Sequence, residues 1–315
     1  MTLKEMTEGT NEVCALIKGI TEKKTRSNKP YVTLTLADKS GEINANFWNN
    51  TQESVGVSVG ELVLAELEAA PYNGAMSYTV KRLQNAAEVE DVDISNFVAS
   101  APMSPAELFK RCMDEVDNMN DKEIAALVRT VYENNKEKLL RHSAAKTIHH
   151  NVIGGLLWHV YRMVEVAKSP CAIYENIDKD VVMAGVLLHD IGKIKELDTD
   201  PMGVTTYTNA GMLFGHVFMG AEMVRDCGIM LGMPAHKIDA ITHIILSHHG
   251  KKEWGAVVEP ATSEAYMVHA IDVLDSKMYV YEKVTKDLEP ETYSDRQYGL
   301  EGVSVYRFPE NHGAE

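Results

Sequence analysis

The twelve histidines of this 315-residue chain are confined to one part of the sequence. All of them lie at or beyond His142, and the first 141 residues contain none. Imidazole and carboxylate groups together favour borderline divalent cations such as Mn, Fe, Co and Zn. The residues that would supply such a set of ligands follow the chain in the order His159, His189, Asp190, His216, His248, His249 and Asp272.

Several of these side chains continue the apolar stripe of a predicted helix. His159 follows Leu156 at helical spacing, and Asp190, His248 and Asp272 extend the stripes of three later helices. One histidine on an apolar face is usually a core residue that is hydrogen-bonded to a carbonyl group. Buried carboxylates, however, are costly unless a positive charge accompanies them. We therefore expect side chains from facing helices to converge on metal ions inside a helical bundle.

These ligands are numerous enough for two metal ions. The first ion would be held by His159, His189, Asp190 and Asp272. The second would be held by Asp190, as a bridging ligand, and by His216, His248 and His249. Ligation by His249 requires its helix to end there, which Gly250 permits. Two ions about 3.5–4 Å apart can activate a shared water and stabilise the attacking and leaving oxygens at phosphorus. The pattern therefore predicts phosphoester hydrolysis, with Asp190 as the central catalytic residue.

The first 88 residues are predicted to form five short strands. Apolar and polar residues alternate along residues 31–37 and 43–48, with a turn signal between them at 38–41. Further strands are expected over residues 13–20, 62–67 and 76–83. Five short strands with a tight hairpin between the second and the third favour a small closed barrel of the OB type.

The sequence after the barrel changes character. Residues 89–105 are predicted to be a linker, and a helical domain is expected over 106–290. Ser104 and Glu107 have the spacing of a capping box at the start of a helix. Residues 291–315 form a tail without a clear period. The predicted fold class is therefore a multidomain α and β protein, in which a five-stranded OB-like barrel precedes an all-α domain.

The predicted barrel carries candidate contacts for a single-stranded nucleic acid. Tyr31 and Trp48 lie opposite its apolar face and offer rings on which bases can stack. A basic loop before the second strand contains Lys24, Arg26 and Lys29, where OB folds contact nucleic acid. The alternative for Tyr31 and Trp48 is ordinary pairing between neighbouring strands.

Composition and charge exclude several classes of protein. The formal net charge is −15, from 31 basic and 46 acidic residues, which disfavours loose binding of nucleic acid over the whole surface. No run of 18 apolar residues exists, so we expect neither a membrane-spanning helix nor a membrane partner. The polar first residues lack the apolar core of a secretory signal. The four cysteines are far apart, so a cytoplasmic protein with reduced thiols is expected.

The order H…HD…H…HH…D, centred on HDIGK at residues 189–193, resembles the HD superfamily of metal-dependent phosphohydrolases. A longer set of segments resembles the YhaM-type 3′-to-5′ exoribonucleases of Gram-positive bacteria, which join an OB barrel to an HD domain. The segments are KPYVTLTLADKSGEINANFW, IHHNVIGGLLWHV, LLHDIGKIKEL, GHV, LSHHGKKEWG and EAYMVHAIDVLDSKM. The resemblance covers nearly the whole chain. It implies an enzyme that shortens single-stranded RNA from its 3′ end with manganese or a similar ion.

The resemblance also implies further site residues. Lys193 would bind or neutralise the scissile phosphate and is the second catalytic candidate, the alternative being a solvated lysine after a helix end. His150 would contact the substrate, unless it caps or packs a helix. Single-stranded DNA stays open as a second substrate, and a homo-oligomer stays open as the assembled form.

Two other functions are compatible with the residues alone. An HD-type phosphodiesterase or phosphohydrolase that acts on a cyclic dinucleotide or another small nucleotide would use the same metal ligands. The barrel favours a polymeric substrate, and no GYP tripeptide follows the HD signature. The third function is a binding module with a vestigial HD core, which the complete set of ligands argues against.

Overall fold

The computed structural model of the chain describes residues 1–25, 27–72, 74–86, 101–142, 153–199 and 205–309. The chain divides into two compact units, which we describe separately. The first unit comprises Met1–Ser100 and Thr199–Thr205. The second unit comprises Ala101–Asp198 and Thr206–Glu315.

The first unit is built around a closed five-stranded barrel, as predicted. Its strands are β1 (Gly9–Lys24), β2 (Pro30–Asp38), β3 (Gly41–Trp48), β4 (Leu62–Tyr72) and β5 (Ala75–Asn85). They follow one another around the barrel in the order β1-β2-β3-β5-β4, and the pair β3–β5 is parallel. The tight β2–β3 turn at Asp38–Gly41 matches the turn signal in the sequence.

The interior of the barrel follows from the alternation of its strands. Val32, Leu34 and Leu36 of β2 are fully buried, whereas Tyr31 on the other face is only half-buried. Tyr31 is the register partner of Trp48 on β3, and their ring centroids lie 4.7 Å apart. The cross-strand pairing that the sequence allowed is therefore present. Trp48 is still 43% exposed in this pairing, so its ring is accessible to solvent.

The second unit is predominantly helical, as predicted. Its described helices are α1 (Pro105–Asn118), α2 (Lys122–Asn134), α3 (Lys136–Arg141), α4 (Gly155–Ile173), α5 (Lys179–Leu188), α6 (Lys193–Glu196), α7 (Asn209–Met230), α8 (Ala235–Ser247) and α9 (Ser263–Asp287). A two-stranded sheet of β6 (Leu197–Thr199) and β7 (Thr205–Tyr207) lies between α6 and α7. Among the described residues, no helix is both long enough and apolar enough to cross a bilayer.

The second unit begins inside the predicted linker, 89–105. Ala101 is buried, and its N–H donates to the carbonyl of Ile153 over 3.1 Å. The Ser104 hydroxyl accepts the N–H of Glu107 over 3.2 Å, so Ser104 caps α1 as predicted. The remainder of the predicted linker, over residues 89–100, lies outside the described residues.

The described part of the predicted tail is folded onto the helical unit. It forms an antiparallel hairpin of β8 (Tyr293–Gln297) and β9 (Val303–Tyr306). Lys277 of α9 holds the turn of this hairpin, because its Nζ donates to the carbonyl of Gly299 over 3.2 Å. Two strands of four and five residues are too short to give a recognisable period in the sequence.

Helix α5 occupies the centre of the helical core and packs against α2, α4, α8 and α9. Gly185 makes the close approach to α8 and α9 feasible. A Cβ at this position would lie 2.8 Å from Ile244 and 3.0 Å from Val268. This packing places the end of α5 in the middle of the unit, between the helices that carry the other predicted ligands.

Candidate metal centre

The ends of helices bring most of the predicted ligands into the interior. Helix α5 ends at Leu188 and α8 ends at Ser247, so the pairs His189–Asp190 and His248–His249 lie where the chain leaves a helix. Adjacent residues within a helix diverge by about 100°. A helix end removes this constraint and lets both members of each pair face the same centre.

Gly250 is needed for the turn that follows His249. Its φ of +80° lies in the left-handed region, which residues with a side chain rarely adopt. A Cβ here would also lie 2.2 Å from the ring of His269. The helix end that His249 requires is thus present, and glycine is the residue that fits it.

The predicted ligands form two groups of converging atoms. In each group, the candidate ligand atoms all lie within 4.8 Å of one another. The first group consists of His159, His189 and Asp272. The second consists of His216, His248 and His249. These are the residues predicted for the first and the second ion, apart from Asp190.

Asp190 lies between the two groups. Its Oδ2 is 3.3 Å from Nε2 of His189 and 4.0 Å from Nε2 of His159. Its Oδ1 is 3.4 Å from Nε2 of His216 and 3.7 Å from Nε2 of His248. Each carboxylate oxygen therefore faces a different group, which is the arrangement a bridging ligand needs.

Several inward-facing atoms have no hydrogen-bond partner within the described chain. They are Nε2 of His189, His216 and His248, Nδ1 of His249 and Oδ1 of Asp190. Buried polar atoms are nearly always paired, and leaving one unpaired costs about 1–3 kcal/mol. Since all of these atoms are metal-ligand types and point to a common centre, divalent cations fit the site.

Backbone carbonyls fix the orientation of two imidazole rings. Nδ1 of His189 donates to the carbonyl of Val186 over 2.9 Å, and Nδ1 of His248 donates to the carbonyl of Ile245 over 2.7 Å. A neutral ring that donates from Nδ1 presents an unprotonated Nε2, and in both residues Nε2 is directed at the centre. Hydrogen bonds of this kind select the tautomer that binds a metal and hold the ring in place.

Two carboxylates behind the ligands were missed in the sequence. Asp275 has its Oδ2 2.7 Å from Nδ1 of His159, while its Oδ1 accepts from Nε of Arg162 over 2.6 Å. Glu196 has its Oε2 3.1 Å from Nδ1 of His216 and accepts that residue's backbone N–H over 3.1 Å. Asp275 follows Asp272 by three residues, which was an available signal that both share a helix face.

Lys193 is part of the interior rather than a solvated lysine. Only 9% of it is exposed, and its Nζ lies 2.6 Å from Oδ2 of Asp190. Burial lowers the pKa of Lys193, but Asp190 more than compensates, so its pKa is raised and the ammonium stays charged. A fixed cation thus lies beside the candidate bridging carboxylate.

The electrostatics of the site keep Asp190 and His248 in the forms that bind metals. Burial raises the pKa of Asp190, but the charge of Lys193, 2.6 Å away, helps to hold that pKa well below its usual range. Burial, reinforced by the neighbouring imidazoles, lowers the pKa of His248 well below its ordinary value. Asp190 is therefore ionised and His248 is neutral at physiological pH.

The predicted contacts for the substrate strand lie mainly on the barrel. Tyr31 and Trp48 form the ring pair described above, and Lys24 and Lys29 are exposed on either side of the β1–β2 connection. Two further predicted contacts lie outside the described residues: Arg26 and His150.

Comparison with known proteins shows that the predicted metal ligands lie within a known domain. The family model of the HD domain, a domain of metal-dependent phosphohydrolases, matches residues 156–277. This span contains all seven predicted ligands. A solved structure, the second OB-fold domain of replication protein A from Methanococcus maripaludis, is similar over 30% of this chain and 97% of that chain, with 14% identity and a TM-score of 0.23.

Full-length relatives match both units together. A protein of Halalkalibacterium halodurans named 3′-5′ exoribonuclease YhaM is 32% identical over 93% of this chain and 91% of its own length. Proteins of the same name from Geobacillus sp. (strain WCH70) and Oceanobacillus iheyensis are each 33% identical, over 94% and 95% of this chain and 91% and 94% of their own. Identity at this level along almost the whole length shows that the chain belongs to the YhaM family of 3′-5′ exoribonucleases.

Proposed function

We propose that this protein is a metal-dependent exoribonuclease that removes nucleotides from the 3′ end of single-stranded RNA by hydrolysis. Membership of the YhaM family supports the reaction and its direction. The observation that carries the proposal is the pair of ligand groups with Asp190 between them. Such a centre suits hydrolysis at phosphorus, where charge must be stabilised on two oxygens at once.

We assign two divalent ions to the centre, with manganese as the leading candidate and iron, cobalt or zinc as alternatives. The first is assigned to His159, His189, Asp190 and Asp272. The second is assigned to Asp190, His216, His248 and His249. When bound, such ions supply a water of lowered pKa and offset negative charge at the phosphate. The unpartnered imidazole nitrogens support this assignment, because metal binding would satisfy each of them.

Lys193 is assigned a catalytic role on the phosphate. Its ammonium is held at the edge of the centre by Asp190, so its position is fixed before substrate arrives. A buried, charged ammonium beside the ligands would attract a phosphate oxygen and lower the cost of charge that builds up during hydrolysis. His150 stays a predicted substrate contact.

The barrel is assigned to capture of the RNA strand. The exposed ring of Trp48, stacked near Tyr31, offers a surface for a base. Lys24 and Lys29 supply local positive charge for the backbone, despite the net charge of −15. Single-stranded DNA stays open as a second substrate, and the cytoplasmic location and the homo-oligomer stay predictions.

The test is an assay with a 5′-labelled single-stranded RNA and Mn²⁺. We expect a ladder of products shortened stepwise from the 3′ end, and we expect EDTA to abolish it. Asp190→Ala should remove the ladder and reduce the bound metal together. Asp226→Ala, which changes an exposed aspartate of α7, is the matched control and should leave both unchanged.

Two other outcomes would contradict the proposal. Turnover of a cyclic dinucleotide without shortening of RNA would establish the small-nucleotide phosphodiesterase instead. Retarded mobility of intact RNA without any product would establish a binding module with an inactive HD core.

A further inference from the structure

A cleft in the helical unit is lined in part by helix α9, which also carries Asp272 of the candidate metal centre. It has a volume of about 680 Å³, within the usual range for ligand sites. Its walls are the turn at Lys252–Trp254, helix α9 and the β8–β9 hairpin. We call it the aromatic cleft, and its principal lining residues are Trp254, Val273, Lys277, Arg296, Tyr298 and Glu301.

Two large aromatic side chains of the aromatic cleft are open to solvent. Trp254 is 51% exposed and Tyr298 is 90% exposed. An aromatic ring at the tip of a hairpin that is almost fully exposed contributes little to the core. Rings presented in this way are the platforms on which proteins stack the bases of single-stranded nucleic acids.

Positive charge accompanies these rings. Lys277 and Arg296 line the aromatic cleft, and Nζ of Lys251 lies 4.7 Å from the ring centre of Trp254. Two of these cations are paired with acidic residues: Lys277 with Glu301 over 2.8 Å, and Lys251 with Glu253 over 3.7 Å. Arg296 adds a further cation to the lining, and a cation beside exposed rings suits a phosphate backbone even in a chain whose net charge is −15.

One wall of the aromatic cleft, helix α9, also carries the predicted metal ligand Asp272, and a second wall, the turn at Lys252–Trp254, follows His248 and His249 in the chain. Val273 directly follows Asp272 on α9. The ring of Trp254 lies 6.2 Å from that of His269, whose Nδ1 donates to the carbonyl of His248 over 2.7 Å. The aromatic cleft and the candidate metal centre therefore share helix α9 and the segment that follows α8.

We propose that the aromatic cleft is a nucleotide subsite for the single-stranded RNA substrate, within the catalytic unit itself. Trp254 and Tyr298 stack bases, while Arg296 faces the phosphates and Lys277 holds the hairpin that presents Tyr298. This inference rests on the proposed exoribonuclease function and deepens it. It also gives the C-terminal hairpin a role, since the hairpin supplies one wall of the subsite.

The test compares steady-state kinetics of single variants on a 5′-labelled oligoribonucleotide with Mn²⁺. Stacking of a base on an aromatic ring is worth about 1–3 kcal/mol, so Tyr298→Ala and Trp254→Ala should each raise KM about 5-fold to 150-fold. Bound metal per chain should stay at the unmodified level. Trp254→Phe keeps a ring and should recover most of the loss.

Tyr174→Ala is the matched control. Tyr174 is 57% exposed, comparable to Trp254, and lies at the opposite end of α4 from His159. Fifteen residues of helix separate the two positions by about 22 Å. This variant should leave KM unchanged.

An unchanged KM in both Tyr298→Ala and Trp254→Ala would overturn the subsite. If Trp254→Ala instead loses bound metal, its effect is structural, and the result for Tyr298→Ala decides alone. If the unmodified chain does not shorten RNA, the proposed function fails. Photo-cross-linking of a 4-thiouridine RNA then decides whether RNA binds here, and absence of adducts on Trp254 and Tyr298 would reject the subsite.

Discussion

At the scale of single residues, the centre depends on carboxylates that hold imidazoles in position. Asp190 faces both groups of histidines, and Asp275 supports His159 from behind. Asp275 is itself fixed by Arg162, which also pairs with Glu282 over 2.7 Å. Supporting hydrogen bonds of this kind raise the basicity of a ligand and reduce the freedom of its ring.

Asp275→Asn should therefore weaken the first metal site without removing a ligand. Loss of such a support typically costs about 10-fold to 100-fold in metal affinity or activity. We expect a higher Kd for Mn²⁺ and a lower kcat, whereas the KM for RNA should change little. Titration calorimetry with Mn²⁺ measures the first effect. Unaltered metal affinity would show that Asp275 does not position His159.

The pH dependence of metal binding follows from the contacts of His159 with its neighbouring carboxylates. Burial lowers the pKa of His159, but the carboxylates of Asp272 and Asp275 outweigh it and raise that pKa to about 9. At neutral pH, a metal must therefore displace a proton from Nε2. Affinity for Mn²⁺ should rise by up to about tenfold per pH unit between pH 6.5 and 8.5. An affinity that is constant or falls over this interval would contradict the assignment of His159.

The seven predicted ligands were accessible to sequence reasoning because their order and helical spacing are local properties. The supporting roles of Asp275 and Glu196 were not predicted, because each depends on which imidazole nitrogen the carboxylate contacts in the folded chain. Glu196 accepts the backbone N–H of His216, which lies 20 residues later in the sequence, after strands β6 and β7. Only the packing of α6 against α7 brings these two residues together.

At the scale of elements, the centre depends on backbones that approach unusually closely. Gly192 lies where the turn after α5 meets α7. A Cβ at this position would lie 1.9 Å from the carbonyl oxygen of His216 and 2.6 Å from the backbone nitrogen of Gly220. Neither atom can move without shifting α7, which carries His216.

Gly192→Ala should consequently displace α7 and disturb the second metal site more than the first. Overpacking of this type costs about 1–3 kcal/mol of unfolding free energy. We expect a lower midpoint in denaturant unfolding, with bound Mn²⁺ falling from two ions per chain towards one. Normal stability and two bound ions would show that the close approach does not position His216.

Most helices and strands were predictable in type from the sequence, whereas the hairpin of β8 and β9 was not. Alternation along β2 and β3 and the cap at Ser104 are strong local signals, and the structure follows them. The hairpin of β8 and β9 is short and held by contacts with α9, such as the bond from Lys277 to Gly299. Its stability comes from tertiary contacts that no periodicity reveals.

At the scale of the whole molecule, the chain joins a candidate metal centre to an OB-like barrel while keeping a negative net charge. A chain with a formal charge of −15 does not attract RNA over its whole surface. Binding must therefore depend on a few local cations. The contribution of each barrel lysine to RNA binding should therefore be measurable, because the rest of the surface attracts RNA only weakly.

The double variant Lys24→Ala/Lys29→Ala should weaken RNA binding and reduce its salt dependence. Each phosphate contact to a single strand contributes about 0.7 to the slope of log K against log salt, so losing two should lower the slope by about 1.4. Fluorescence anisotropy with labelled RNA in EDTA measures both quantities. Lys39→Ala, in the β2–β3 turn of the same barrel, is the matched control. An unchanged slope in the double variant would exclude these lysines from the RNA path.

The most direct test of the central claim is anomalous diffraction at the manganese edge from crystals of the Mn²⁺-loaded protein. Two peaks are predicted, one among His159, His189, Asp190 and Asp272, and the other among Asp190, His216, His248 and His249. Asp190 should contact both. No peak at this centre, or manganese bound only elsewhere on the chain, would contradict the account of a two-metal exoribonuclease.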